Sequence, residues 1–119
     1  MASPVERVNP ILTAVNKHLL DTGLHAERMN IIAFLRAVSE DYARGELTLR
    51  EVEEMVREAA ENIVALAASV GKSLTVEEVE EDVRKAVLAV ATRTSALLLP
   101  ERFARRRLRK MRREEEGLV

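Results

Sequence analysis

Residues 48–99 read TLREVEEMVREAAENIVALAASVGKSLTVEEVEEDVRKAVLAVATRTSALLL, and this stretch decides the fold. It holds one signal twice. Thr48-Leu-Arg-Glu51 and Thr75-Val-Glu-Glu78 are both capping boxes, in which a threonine hydroxyl and a glutamate carboxylate each satisfy a backbone donor at the start of a helix. After the first box, Leu49, Val52, Val56, Ala59, Ile63, Leu66 and Val70 recur at spacings of three and four. After the second, Val76, Val79, Val83, Ala86, Val90, Thr94 and Leu97 do the same. Each is a heptad-like seam on one face of a helix. Only Gly71-Lys72-Ser73-Leu74 separates the two, which forces antiparallel neighbours, each about 33 Å long at ~1.5 Å per residue. The expectation is a long αα-hairpin, with helices over about 48–70 and 75–99.

Working outward towards the N-terminus, Ser3-Pro4-Val5-Glu6 is a third capping box, with proline at the first helical position. It predicts a helix over roughly 4–21, which Pro10 either kinks or restarts with Asn9 as the new cap. Gly23 is a left-handed stop for it. A second helix begins near His25, places Ile31, Phe34, Leu35, Val38 and Tyr42 on one face and Arg28, Arg36, Glu40 and Asp41 on the other, and ends at Gly45. Pro100 ends the fourth helix and is well placed to start a fifth. The fold class predicted is therefore all-α: a helical bundle over 1–99, built on the hairpin and two N-terminal helices, followed by a C-terminal helical arm over 100–119.

Composition agrees with closely packed helices. Of the 119 residues 47% are hydrophobic, but the aromatics are one tyrosine and two phenylalanines, so the core is built from Ala, Val, Leu, Ile and Met. With no cysteine there is no disulfide framework, thiolate metal site or cysteine nucleophile. The start lacks a charged-then-apolar leader, and no run of about 20 apolar residues occurs. A soluble, unexported protein is expected, in the cytoplasm or in a virion. The absence of glutamine and cysteine, the short loops and 33% charged residues point towards a thermophilic source, a bias that a GC-rich genome also produces.

The charge is unevenly spread. In RFARRRLRKMRR, residues 102–113, eight positions are basic: Arg102, Arg105, Arg106, Arg107, Arg109, Lys110, Arg112 and Arg113. Residues 1–100 carry 11 basic and 16 acidic residues, a balance of −5, whereas 101–119 carry 8 and 4, a balance of +4; together they make the formal −1 of the chain. An acidic body has no electrostatic reason to approach a polyanion. A dense basic arm does, because each phosphate it neutralises releases a counterion. Seven of the eight cations are arginine, whose planar fork suits phosphate.

The other candidate chemistries fail on their residues. Glu51, Glu54, Glu58 and Glu61, and the acids Glu77, Glu78, Glu80, Glu81 and Asp82, lie mostly away from the apolar seams, whereas a metal-dependent hydrolase needs carboxylates turned inward. Their expected role is solvation and pairing four residues apart, as in Arg57 with Glu61, Glu80 with Arg84 and Glu81 with Lys85. No Glu-x-x-His pair suggests a di-iron bundle. Gly71-Lys72-Ser73 resembles the end of a phosphate-binding loop, but Leu66 stands where that loop needs glycine and a helix precedes it. His18 and His25, the only imidazoles, are expected at the surface. No enzyme, no cofactor and no metal site are expected.

The basic arm has its own rivals. Ala104, Leu108 and Met111, with Phe103 beside them, make only a narrow apolar stripe, so the arm could be a solvated helix in which Glu114, Glu115 and Glu116 pair back to Lys110, Arg112 and Arg113. An anionic membrane is a weaker reading, because the segment has one phenylalanine and no tryptophan. The favoured expectation is a non-enzymatic, sequence-independent nucleic-acid-binding structural protein, for duplex DNA first and RNA second, gripping phosphate with the eight cations. Its architecture is similar to that of helical coat proteins of filamentous viruses, small chromatin proteins and ribosome-associated factors, a likeness of fold and charge alone. Self-association through the third and fourth helices is expected. The alternative is a protein-interaction module or ribosome-associated factor whose arm grips an acidic partner.

Overall fold

The computed structural model describes residues 9–98 and 101–118, which fold as an all-α bundle. Five helices follow one another: α1 Pro10–Leu19, α2 His25–Arg44, α3 Leu49–Ser69, α4 Val76–Leu98 and α5 Glu101–Leu118, with a short 3₁₀ turn, Leu20–Thr22, after α1. The predicted capping box at residues 3–6 lies outside the described residues. Within them the first helix starts at Pro10, and Asn9 caps it, its Oδ1 accepting from the Leu12 amide at 3.1 Å. The helix gives way to the 3₁₀ turn after Leu19, and Gly23 is left-handed at φ 76°.

The predicted αα-hairpin is present. Thr48 Oγ1 accepts from the Glu51 amide at 3.1 Å while Glu51 Oε1 accepts from the Thr48 amide at 2.9 Å, so the first capping box closes in both directions. At the start of α4 the two capping side chains meet each other, Thr75 Oγ1 donating to Glu78 Oε2 at 3.4 Å. Between the helices Gly71 adopts φ 81° and ends α3 in a Schellman turn, with the Lys72 amide donating to the Ala67 carbonyl and the Gly71 amide to that of Ala68. The turn needs a positive φ, which glycine adopts without a Cβ clash. Gly45 ends α2 in the same way at φ 85°.

α4 is the axis of the molecule, packed by α1, α2, α3 and α5. This explains where its burial departs from a single seam. Val79, Val83 and Ala86 are buried as predicted, but so are Val87, Leu88, Ala91 and Ser95, because neighbours cover more than one side. In α3, Leu49, Val52, Val56, Ala59 and Ile63 are buried, while Leu66 is half-buried and Val70 is 47% exposed; Ala60 and Ala67 take the inward positions. A 3.6-residue helix drifts away from a strict heptad over three repeats, and that drift turns the late members of the seam outward. Leu49, Val52, Val56, Ala59 and Ile63 of the α3 seam and Val79, Val83 and Ala86 of the α4 seam are thus buried within one chain, and the remaining described members are half-buried or exposed.

α2 departs further from its predicted faces. Ile31, Leu35, Val38 and Tyr42 point inward, but Phe34 is 41% exposed, because it sits about 100° round the helix from Leu35. Ser39 occupies the inner face in its place, its hydroxyl donating to Leu35 O at 2.9 Å and to Val87 O of α4 at 3.3 Å. Arg28, expected on the polar face, lies seven residues before Leu35 and is buried, its Nη1 donating to Asn16 Oδ1 of α1 at 2.7 Å.

His18, expected at the surface, is 6% exposed. Its Nε2 lies 2.9 Å from Asp82 Oδ2, which also accepts from Lys17 at 2.9 Å, so α1 is tied to α4. The expected Glu80–Arg84 pair is replaced by bonds across the hairpin, Arg84 to Glu53 at 2.6 Å and Arg57 to Glu80 at 3.4 Å. The pairs Arg57–Glu61 and Lys85–Glu81 form as expected.

Candidate polyanion-binding face

α5 is where the charge lies, and its sequence gives it two sides. Met111 is 2% exposed and belongs to the core, and Leu108 packs against that core. Arg107 and Leu108 before Met111, and Glu114 and Glu115 after it, are three or four residues away and half-buried. These positions share one face of the helix, the face laid on the bundle. Arg105, Arg106, Arg109, Lys110, Arg112 and Arg113 are exposed on the other. The basic segment is therefore a docked helix, not a free arm, and one methionine with its flanking half-buried groups supplies the packing that so narrow a stripe was expected to lack.

Arg107 stands apart from the other predicted site residues. Its side chain is 12% exposed, its guanidinium lies 5.1 Å from the centre of the Tyr42 ring, and its Nη2 donates to the Tyr42 carbonyl at 2.6 Å. That carbonyl, at the end of α2, also accepts the Gly45 amide. Glu114 completes the latch, with one oxygen 3.7 Å from Arg107 Nη1 and the other accepting from the Leu49 amide at the start of α3 at 3.3 Å. A carboxylate at a helix N-terminus is favoured by the exposed amides there.

The latch is electrostatically dense. Burial pushes the Tyr42 phenol well above the usual tyrosine range; the charges of Glu114 and Glu115 push the same way, and those of Arg107 and Arg84 oppose. Burial likewise raises Glu115, against the pull of Arg84 and Arg112. Arg84 is held more firmly charged by its bond to Glu53, against its own burial.

On the outward side Arg106, Arg109, Arg112 and Arg113, with Glu116, line a shallow depression of about 430 Å³. Four guanidinia around one open surface can hold phosphate oxygens through paired N–H donors. Arg105 precedes these residues in sequence and Lys110 falls among them, and Arg102 lies on α5 with its side chain outside the described residues. Comparison with protein-family models, curated proteins and solved structures returned no match. Among the described residues no group of three or more His, Asp and Glu is placed to hold a metal ion, and no helix is long and apolar enough to cross a membrane.

The periodicity of α5 already contained the inward position of Arg107, because it lies four residues before Met111 on the same face. Its partner could not be read in this way. Tyr42 and Arg107 are 65 residues apart, and nothing local in either segment announces the contact.

Proposed function

We propose that the chain is a non-enzymatic, sequence-independent nucleic-acid-binding protein of structural type, a DNA-packaging or nucleoprotein-coat subunit, that grips the phosphate backbone with the outward face of α5. The observation that carries this reading is the sorting of charge on that helix. Arg107 and Glu114 are spent on holding α5 to the bundle, while Arg106, Arg109, Arg112 and Arg113 are gathered on the solvent side.

Cations held on a seated helix lose less freedom on binding than the same cations on a loose tail, which favours affinity. The helix lies flat on the bundle with Met111 inward and so is poorly placed to enter a major groove, which is about as wide as a helix is thick. Contacts of this kind position the protein on the backbone and do not read bases. Residues 104–119 contain no aromatic side chain, so bases have no stacking platform there and a duplex is favoured over a single strand.

The test is affinity for duplex DNA, duplex RNA and single-stranded DNA over a salt series, for the native chain and for the variant Arg106→Ala/Arg109→Ala/Arg113→Ala. The native chain is expected to bind duplexes of unrelated sequence alike, with log K against log salt falling at about −4 to −5 for four to six phosphate contacts. The variant is expected to fold normally and to lose most of that affinity and slope. Equal binding by both proteins, or no binding by either, refutes the proposal.

A further inference from the structure

The largest apolar side chain exposed among the described residues, Phe34, stands beside a groove between α2 and α3. Asn30, Ile31, Phe34, Glu58, Ala59 and Asn62 line this groove, which encloses about 220 Å³. Its chemistry is that of an arginine receptor: an aromatic ring for the guanidinium plane, a carboxylate for its fork, two side-chain amides able to accept, and an apolar floor for the methylene stem. Glu58 also belongs to a stripe. Glu51, Glu54, Glu58 and Glu61 are all exposed and recur at spacings of three, four and three along α3, a length of about 15 Å.

The chain itself supplies the matching surface. On the outward side of α5, Arg106, Arg109 and Arg113 recur at three and four, the same alternation. The molecule already recognises one arginine of α5 by this same combination, since Arg107 lies over the Tyr42 ring, bonded to a carbonyl and close to Glu114. We propose that the α2/α3 groove and the glutamate stripe receive the arginine face of α5 from a second copy of the chain. Glu51, which caps α3, and Glu61, which already faces Arg57, stand at the ends of that contact, and Glu54 and Glu58 at its centre.

Two different surfaces meet in this contact, so it is heterologous and leaves a groove and an arginine face available for further copies. It is built on exposed charge, and salt weakens it. Where α5 binds nucleic acid as proposed above, self-association and duplex binding compete for the same arginines. That last consequence rests on the polyanion reading; the contact itself does not.

The experiment is sedimentation velocity on the full chain over a concentration series at low and high ionic strength, with Phe34→Ala, Glu58→Gln and the triple arginine variant alongside, and duplex binding measured on each. The expected result is reversible association of the native chain at low salt, lost at high salt, and weakened at least tenfold in all three variants, with duplex affinity unchanged or higher in Phe34→Ala and Glu58→Gln. A native chain that stays monomeric at low salt, or association that survives in Phe34→Ala and Glu58→Gln, overturns the inference while leaving the polyanion reading in place. Association that depends on the arginines and the groove, in a protein that binds no duplex, upholds this contact and refutes that reading.

Discussion

At the scale of single residues, Arg107 and Asp82 carry the most. Replacing Arg107 by alanine removes a charged hydrogen bond, a ring contact and the partner of Glu114, and is expected to lower stability by about 2 kcal/mol. Lysine should restore little, because it lacks the planar fork that reaches carbonyl and ring together. Thermal unfolding of the two variants checks this, and a full rescue by lysine refutes the geometry. Asp82 is held below the usual carboxylate range, first by its bond to Lys17 and then by His18, with burial opposing. A lowered carboxylate stabilises the fold above its unfolded value, near 3.9, and the gain fades as pH falls through the folded value. Asp82→Ala should therefore cost about 1–2 kcal/mol between pH 5 and 7, and the gap should close only below about pH 4. Denaturant unfolding across pH measures it. The His18–Asp82 pair was not legible from the sequence, in which Asp82 read as one more surface acid and His18 as a surface imidazole; only the packing of α1 on α4 brings them together.

The helices themselves were read more fully than their contacts. The capping residue Thr48, the glycine stops at 23, 45 and 71 and the spacing of Val52, Val56, Val79 and Val83 all act within a turn or two of chain, so they are visible without the fold. Val70 was misplaced because a seam read as a heptad ignores the drift of a real helix, and Phe34 because it was grouped with Leu35, about 100° round the same helix. The same limitation hid the docking of α5, whose apolar content alone suggested a solvated arm. Met111→Ala tests that docking directly. Loss of a side chain 2% exposed should cost about 2–3 kcal/mol and free α5 from the bundle, read as faster amide exchange along residues 105–116. Exchange that stays slow would show that the charged latch alone holds the helix. For the same reason a chain ending at Pro100 is a poor control for binding, since it uncovers the core surface that Met111 and Leu108 protect.

For the whole molecule the decisive property is the separation of charge, −5 over residues 1–100 against +4 over 101–119. A polyanion approaching from the α5 side meets cations, and one approaching from the outer side of α3 meets carboxylates, so the field orients the encounter before contact. The salt slope and the low-salt association proposed above are two readouts of that single asymmetry.

One feature of the interior gives this protein an optical signal of its own. It has a single tyrosine and no tryptophan, so Tyr42 is its dominant near-ultraviolet chromophore and emitter. That ring lies beneath the Arg107 guanidinium, and burial with the charges of Glu114 and Glu115 raises its phenol against the opposing charge of Arg107. Its emission, and the alkaline pH at which its phenolate band appears, therefore report whether the C-terminal helix is seated, without any label. A shift of that band towards the ordinary tyrosine range would show the helix lifting while the rest of the bundle stays folded.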